Sequence, residues 1–391
     1  MLCPLLAYKV PVFDFLLISE LCIMVLVVDY LSNNNLKVNI KGIRTLGCFF
    51  IYAVVVTLIN LIISKYPPNL KDTTFYLIRF LFYIVSVGTV CRRYFDKDLA
   101  ASLIVHLSNS ASIIVIFQQT IYKFTGKKLY IEVPFLVHES GNVRKFANEY
   151  RTGGIFNEPA DFCHFAIFAL VILMFYDEKK EGEILHRIKV ISIILCTIAI
   201  ALSTSGTGVY LMFMVYACYI PLWIKKTSKK NLMKKVVTAS FVIFLAIPLV
   251  VSNANFIDAL QRGNITKIEQ GSGNDRVVKG FELYSKLPLE HKILGTGYSN
   301  GMAYANSSNM FLSSNKFGSN YINGMAIQLT GTGIVGFIIY LGTFLELFIV
   351  SRSRFDRMTI LVFFISGFFS GITKGYYIMF VYALTLPKDE M

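Results

Sequence analysis

Apolar runs of roughly helical membrane length recur along almost the whole chain, and this constrains its fold more than any other feature. A helix that crosses the hydrocarbon core of a bilayer needs about 20 mostly apolar residues. Ten stretches approach that pattern: 13–30, 46–64, 74–91, 99–122, 161–176, 188–203, 209–224, 236–252, 331–350 and 359–386. The fifth and sixth are short. The last is long and contains Gly371, Lys374 and Gly375, which favour a break. Only 16% of the 391 residues are charged and 55% are hydrophobic, and the mean hydropathy is +0.58. A soluble domain of this size needs more polar surface. A disordered chain lacks this many aromatic and aliphatic residues. The expected fold is an all-α, polytopic integral membrane protein, a single membrane domain over residues 1–391.

The 38 basic and 24 acidic residues give a net charge of +14. In a soluble protein this excess points to nucleic acid. Here it reads as the basic character of cytoplasmic loops, and no nucleic-acid partner is expected. One alternate set of connecting segments, 31–45, 92–98, 177–189, 225–235 and 351–358, carries 19 Lys and Arg in 54 positions. The opposite set carries 17 over more than twice that length, and it includes two long segments, 123–160 and 253–330. The first set is therefore expected in the cytoplasm and both long segments outside it. An even number of spans then puts the N-terminus outside, unless residues 1–12 belong to a partial membrane element. The start of the chain lacks the charged region and cleavage site of a secretory signal peptide. Seven cysteines without a C-x-x-C spacing predict neither a disulfide framework nor a zinc site.

Long loops between spans are uncommon unless they are functional. The first ends in Arg151-Thr152-Gly153-Gly154-Ile155-Phe156-Asn157-Glu158-Pro159, directly before a span. The glycines permit close backbone approach, and Pro159 suits the first position of a helix. Glu158 then stands at a helix N-terminus with Arg151 nearby, either as a chemical group or as a helix cap. The second contains Gly271-Ser272-Gly273-Asn274-Asp275-Arg276, followed by Val277, Phe281, Tyr284 and Leu287 at helical spacing. Ser272 or Asn274 can cap that helix, placing Arg276 in its first turn as an anion-binding group. The alternative is an interfacial helix with Arg276 snorkelling to headgroups. Arg79, near the outer end of the third span, is the intramembrane charge best placed to join an anion site. Asp14, Glu20, Asp29, His106, Glu346 and Lys374 share its intramembrane status, with Asp14, Asp29 and Glu346 close enough to span ends to act as anchors.

Two motifs argue against other chemistries. Gly331-Thr332-Gly333-Ile334-Val335-Gly336 fits a dinucleotide-binding spacing, with Asp356 twenty residues past Gly336. It opens an apolar span and no strand precedes it, so close helix packing is the better account. Ser203-Thr204-Ser205-Gly206-Thr207-Gly208 lacks the G-x-S-x-G of a hydrolase elbow and reads as a tight turn between spans. No metal-ligand motif or nucleotide loop is present, and no cofactor is expected.

Taken in order, Arg151-x-x-Gly154-x-Phe156-x-Glu158-Pro159, then Asp275-Arg276, Pro288, Gly295-x-Gly297, Asn320-Tyr321-Ile322 and Gly331-x-Gly333-Ile334-x-Gly336-Phe337 resemble the O-antigen and capsular polysaccharide polymerases (Wzy-type) and the related O-antigen ligases. The resemblance runs from about Asp14 onward and rests on order and topology more than on any single motif. It implies glycosyl transfer at the outer face of a bacterial inner membrane, from an undecaprenyl-pyrophosphate-linked glycan to a sugar hydroxyl of another lipid-linked repeat unit. Membrane lipid and a chain-length regulator are the implied partners. The pyrophosphate leaving group needs cations, a role that falls to Arg151 and Arg276 with Arg79. A carboxylate activates the hydroxyl, Glu158 first and Asp275 second. The implied substrate-binding set is Arg79, Arg151, Asn157, Arg276 and Lys279. The ligases carry a histidine just before the late span, where this chain reads Phe317-Gly318-Ser319-Asn320-Tyr321. The polymerase reading is therefore preferred over the ligase. A secondary transporter or lipid-glycan flippase is the alternative from another class, and internal repeats expected of many such folds are not evident.

The charge asymmetry makes one direct prediction. A tag inserted after Lys230 is protected from protease added to intact spheroplasts, and digestion there would invert the topology.

Overall fold

A computed structural model describes residues 8–10, 13–33, 38–129, 131, 137–138, 150–156, 158–176, 183–226, 278–308, 323–371 and 377–386. In chain order its elements are β1 (Tyr8–Val10), β2 (Phe13–Leu17), α1 (Ile18–Asn33), α2 (Arg44–Ile63), α3 (Leu70–Gly88), α4 (Val90–Arg93), α5 (Lys97–Thr125), β3 (Val137–His138), α6 (Pro159–Phe175), α7 (Glu183–Leu202), α8 (Gly206–Lys226), α9 (Lys279–Lys286), α10 (Leu289–Leu294), α11 (Gly301–Ser307), α12 (Gly324–Val350), α13 (Arg354–Ser366) and α14 (Tyr377–Thr385). The protein is a helical, multi-pass membrane protein. Among the described residues five helices are long and apolar enough to cross a membrane: Arg44–Ile63, Leu70–Arg93, Lys97–Thr125, Gly206–Ile224 and Gly324–Val350. Pro159–Phe175 and Ile188–Leu202 are shorter apolar helices. The expected span 236–252 lies outside the described residues.

Two expected spans differ from the helices observed. Residues 13–17 are extended, and α1 starts only at Ile18. A short apolar run such as Phe13-Asp14-Phe15-Leu16-Leu17 has no periodicity that separates strand from helix. It pairs with β1, and β1 pairs with β3 from the 123–160 segment, giving the order β2-β1-β3. The ninth span begins at Gly324 instead of 331. The tenth is divided, as its glycines favour, into α13 and α14, with a turn beginning at Gly367.

The described chain forms two compact units, each assembled from separated stretches of sequence. The first comprises Met1–Cys22 and Asp96–Gly263. Its centre is α6, in which Phe162–Leu173 is buried on every side. A helix apolar all round has no polar face to turn outward, so neighbours must enclose it; α5, α7 and α8 all pack on it. Small polar side chains join α5 to α7: Asn109 Nδ2 donates to Ser192 Oγ at 2.7 Å, and Ser108 Oγ lies 3.3 Å from Cys196 Sγ. Such contacts are a usual adhesive between helices in lipid. The Tyr176 hydroxyl donates to the Asp98 carboxylate, fastening the end of α6 to the start of α5.

The second unit comprises Ile23–Phe95 and Asn264–Met391. Helices α2 and α12 form its main contact. A Cβ on Gly336 would stand 2.5 Å from Tyr52 Cε1, so the close packing expected of this glycine is present. Glu346, expected as an anchor, accepts from the amides of Arg44 (3.3 Å) and Thr45 (2.8 Å) and so caps α2 from a neighbouring helix. Asp356 serves a capping box with Ser353 at the start of α13. The first four amides of α12 are all accounted for: Gly324 donates to Ser370 O, Met325 to Gly367 O, Ala326 to Asn323 Oδ1 and Ile327 to Asn323 O.

Helix α12 is interrupted at Gly333 (φ 65°, ψ −176°), a backbone region open essentially to glycine. The interruption releases carbonyls within the apolar layer. Thr296 N donates to Thr330 O at 3.1 Å and Gly297 N to Gly331 O at 3.0 Å. The 295–300 turn is thus stitched into the break. Asn60 Nδ2 donates to Gly295 O at 3.1 Å, and Tyr298 N to Thr57 Oγ1 at 3.0 Å, tying the same turn to α2. The Tyr298 ring stacks on Phe80, with centroids 5.7 Å apart. A Cβ on Gly333 would lie 2.3 Å from Ile293 O, whereas a Cβ on Gly126, also at positive φ, would meet nothing. Gly333→Ala is therefore expected to destabilise the detergent-solubilised protein by at least about 3 kcal/mol, and Gly126→Ala by about 1–2 kcal/mol. Equal melting temperatures for the two variants would contradict the stitched break.

Candidate functional site

The expected site residues fall into three groups. Arg151 and Glu158 lie in the first unit, on the segment that enters α6. Arg79 and Lys279 lie in the second unit, on α3 and at the first position of α9. Asn157, Asp275 and Arg276 lie outside the described residues. Arg79 is half-buried, with its guanidinium 5.7 Å from the centroid of Phe75. Lys279 opens α9, and Val278, its N-cap, makes no side-chain cap. The expectation that Arg276 stands in the first turn under a Ser272 or Asn274 cap falls on residues 271–277, outside the described residues. Within the described helix and at its C-cap, Gly280, Leu283 and Leu287 are buried, while Phe281 and Tyr284 are half-buried. Leu287 alone of the expected stripe is both described and fully enclosed.

Around Arg151 the backbone is held tightly. Tyr150 is buried, its ring 4.7 Å from that of Tyr122, and its hydroxyl bonds the backbone of Leu129. Gln119 Nε2 donates to Tyr150 O at 3.4 Å and to Thr152 Oγ1 at 3.3 Å. Residues on both sides of Arg151 are thus tethered to α5. A Cβ on Gly153 would lie 2.9 Å from the Glu158 carbonyl, and Gly154 has φ 66° over the backbone of Ala111. The two glycines let the chain turn back so that Phe156 N donates to Gly153 O at 3.0 Å. Phe156 is buried against Phe162 and Phe165.

Pro159 occupies the first position of α6, as expected, and Glu158 is its N-cap residue. The Glu158 backbone carbonyl accepts from Asp161 N (3.1 Å) and Phe162 N (3.2 Å), but its side chain makes no capping hydrogen bond. The reading of Glu158 as a side-chain cap is thereby removed. Its half-buried carboxylate stands at the positive end of a buried helix without being used by that helix. Arg151 and Asp161 both act electrostatically on Cys163, which places their charges around the first turn of α6.

The Ser203–Gly208 turn is more than a surface connection. Ser203, Thr204 and Ser205 are all buried. Cys163 Sγ lies 3.0 Å from Ser203 Oγ and is also bonded by Ser205. A Cβ on Gly208 would come within 2.4 Å of the same sulfur, so α8 approaches the first turn of α6 almost backbone to side chain. Thr204 has φ 60°, unusual for a β-branched residue, and among the described residues its buried hydroxyl has no partner. Strain of this kind collects at functional sites. The sequence signal was the unbroken run of small hydroxyl and glycine residues, and nothing in it announced proximity to Cys163.

Among the described residues no group of three or more His, Cys, Asp or Glu is placed to hold a metal ion. The chain matches no known family model and no curated protein sequence. Chemistry must therefore be argued from the arrangement itself: a tethered cation, an uncommitted carboxylate and a buried hydroxyl turn gathered at one end of α6.

If Thr204 carries strain, Thr204→Gly relieves it. The variant is expected to be more stable by about 1 kcal/mol, read as a melting temperature higher by a few degrees. An unchanged or lower value would show that the conformation costs nothing.

Proposed function

We propose that this protein is a polysaccharide repeat-unit polymerase that transfers a glycan from an undecaprenyl-pyrophosphate carrier to the hydroxyl of a second lipid-linked unit at the outer face of a bacterial inner membrane. The observation that carries this reading is the presence, on one short segment tethered to α5, of both Arg151 and a Glu158 carboxylate that its own helix does not use. In the proposed reaction the acceptor oxygen attacks the anomeric carbon and the bond from that carbon to the pyrophosphate oxygen breaks. The hydroxyl proton passes to Glu158 and the electron pair leaves with the pyrophosphate. Arg151 meets the growing negative charge, and the N-terminus of α6 adds to the positive potential there. Arg276, Arg79, Lys279 and Asn157 complete the proposed substrate contacts, with Asp275 as the second carboxylate.

The charge that develops on the leaving pyrophosphate belongs outside a fully apolar layer, and the segment's position at the head of α6 suits that need. A transporter reading draws support from the interruption in α12, since broken helices line substrate paths in many transporters. Here the Thr330 carbonyl accepts from both the amide and the hydroxyl of Thr296, and the Gly331 carbonyl from the Gly297 amide, so both are engaged in holding the fold. The polymerase reading is therefore preferred.

Complementation of a deletion strain tests it. Glu158→Gln keeps the shape and removes the charge; a loss of at least about 100-fold in polymer is expected, at unchanged membrane abundance. Arg151→Ala is expected to cost a similar factor. A normal polymer ladder from Glu158→Gln would exclude it as the base, and normal ladders from both variants would remove the segment from the chemistry.

A further inference from the structure

The second unit carries an interlocked aromatic cluster outside the Arg151–Glu158 segment. Tyr66 lies in the α2–α3 turn, His291 on α10 and Tyr304 on α11. Tyr304 meets His291 edge to face with centroids 4.6 Å apart, and Tyr66 edge to face at 5.7 Å. Tyr66 and His291 are half-buried and flank a Tyr304 ring that is almost enclosed.

The cluster is rigid for local reasons. Ser64 Oγ is bonded to both the amide and the carbonyl of Tyr66 at 3.2 Å, and Pro67-Pro68 follows at once. Pro68 packs against Gly297, where a Cβ would stand 2.8 Å from its ring. His291 Nδ1 lies 3.1 Å from Gly295 O, an oxygen that also accepts from Asn60 Nδ2. A carbonyl oxygen only accepts, so Nδ1 carries the proton and Nε2 keeps its lone pair in the neutral ring. The Tyr304 phenol is held above its ordinary pKa by burial first and then by the Glu290 carboxylate and Tyr66, so it remains a donor at neutral pH.

Charges of both signs border the rings. Exposed Glu290 acts on Tyr304, and the Lys65 ammonium sits 5.6 Å from the centroid of Tyr66. The Glu290 carboxylate acting on Tyr304 disfavours a phosphate at these rings, and the Lys65 ammonium against Tyr66 disfavours a cation. Fixed aromatic faces with a phenol donor, a ring nitrogen and both charge signs suit a neutral polyhydroxylated ring, whose C–H faces stack while its hydroxyls both donate and accept.

We propose that Tyr66, His291 and Tyr304, bordered by Glu290 and Lys65, form a glycan-binding subsite on the second unit. The natural identity of that glycan rests on the proposed polymerase function; the binding chemistry of the cluster does not. Preorganisation keeps the ordering cost of such a shallow site small.

The test uses the full chain in lipid nanodiscs and, as probe, the repeat-unit oligosaccharide released by mild acid from the producing cells' lipid-linked intermediates. Saturation-transfer NMR is expected to show transfer to sugar ring protons. Tyr66→Ala and His291→Leu should each weaken binding about tenfold with little change in melting temperature, while Tyr66→Phe retains it. Unchanged binding in both Tyr66→Ala and His291→Leu would overturn the proposal. So would binding that appears only with anionic lipid in the nanodisc, which would make the cluster an interfacial belt. These outcomes are independent of the polymer ladders of Glu158→Gln and Arg151→Ala, which decide the polymerase reading alone.

Discussion

A backbone amide or carbonyl inside an apolar layer must find a partner within the protein, and the second unit is arranged around that requirement. Helix α12 stops being regular at Gly333, and the carbonyls of Thr330 and Gly331 would be stranded without the amides of Thr296 and Gly297. Those two bonds fix the 295–300 turn, which fixes Tyr298 against Phe80 and Phe49. The same turn supplies the Gly295 oxygen that sets the proton on His291. A helix interruption, an aromatic core and the orientation of a surface histidine are therefore consequences of one pairing. The glycines at 295 and 333 are required because the paired segments approach to distances at which a Cβ collides with backbone, and at Gly331 a Cβ would be tight against the Gly297 oxygen.

The first unit solves a related problem differently. Its central helix is buried on every face and, past its first turn, apolar except for His164, so few polar groups lie along it. At one end the Tyr176–Asp98 bond closes α6 against α5. At the other, Arg151, Glu158, Asp161 and the buried Ser203–Ser205 turn collect around the first turn of α6. That concentration of polar groups gives the proposed chemistry its place, since glycosyl transfer needs a fixed cation and an available base at the edge of an apolar layer.

Much of the fold was legible because spanning helices announce themselves by length and hydropathy alone. Arg44–Ile63, Lys97–Thr125 and Pro159–Phe175 match the sequence reading closely, and so does the division of 359–386 into two helices. Pro159 marked a helix start correctly because its ring fixes φ and it lacks the amide that a first helical residue does not use. The misses have equally local causes. Residues 13–17 were too few for periodicity to separate strand from helix, and the sheet they join is completed by residues 137–138, which pair with β1 from far along the sequence. Gly331 and Gly333 fitted a packing motif, whereas their principal role depends on a turn some 35 residues earlier. Glu346 resembled an anchor and is a cap for α2, a helix about 300 residues away. Of the site, the Arg151–Glu158 segment was visible as a motif, but the Ser203–Gly208 turn was not, because its neighbour Cys163 is defined only by tertiary packing.

The central claim is that this chain joins lipid-linked glycan units into long chains. Deleting its gene in the producing bacterium and sizing the surface glycan on a gel tests it most directly. The account predicts that long chains vanish while single-repeat glycan remains. Unchanged long chains would contradict it, and so would lipid-linked polymer accumulating without transfer to its final acceptor, the outcome expected of a ligase.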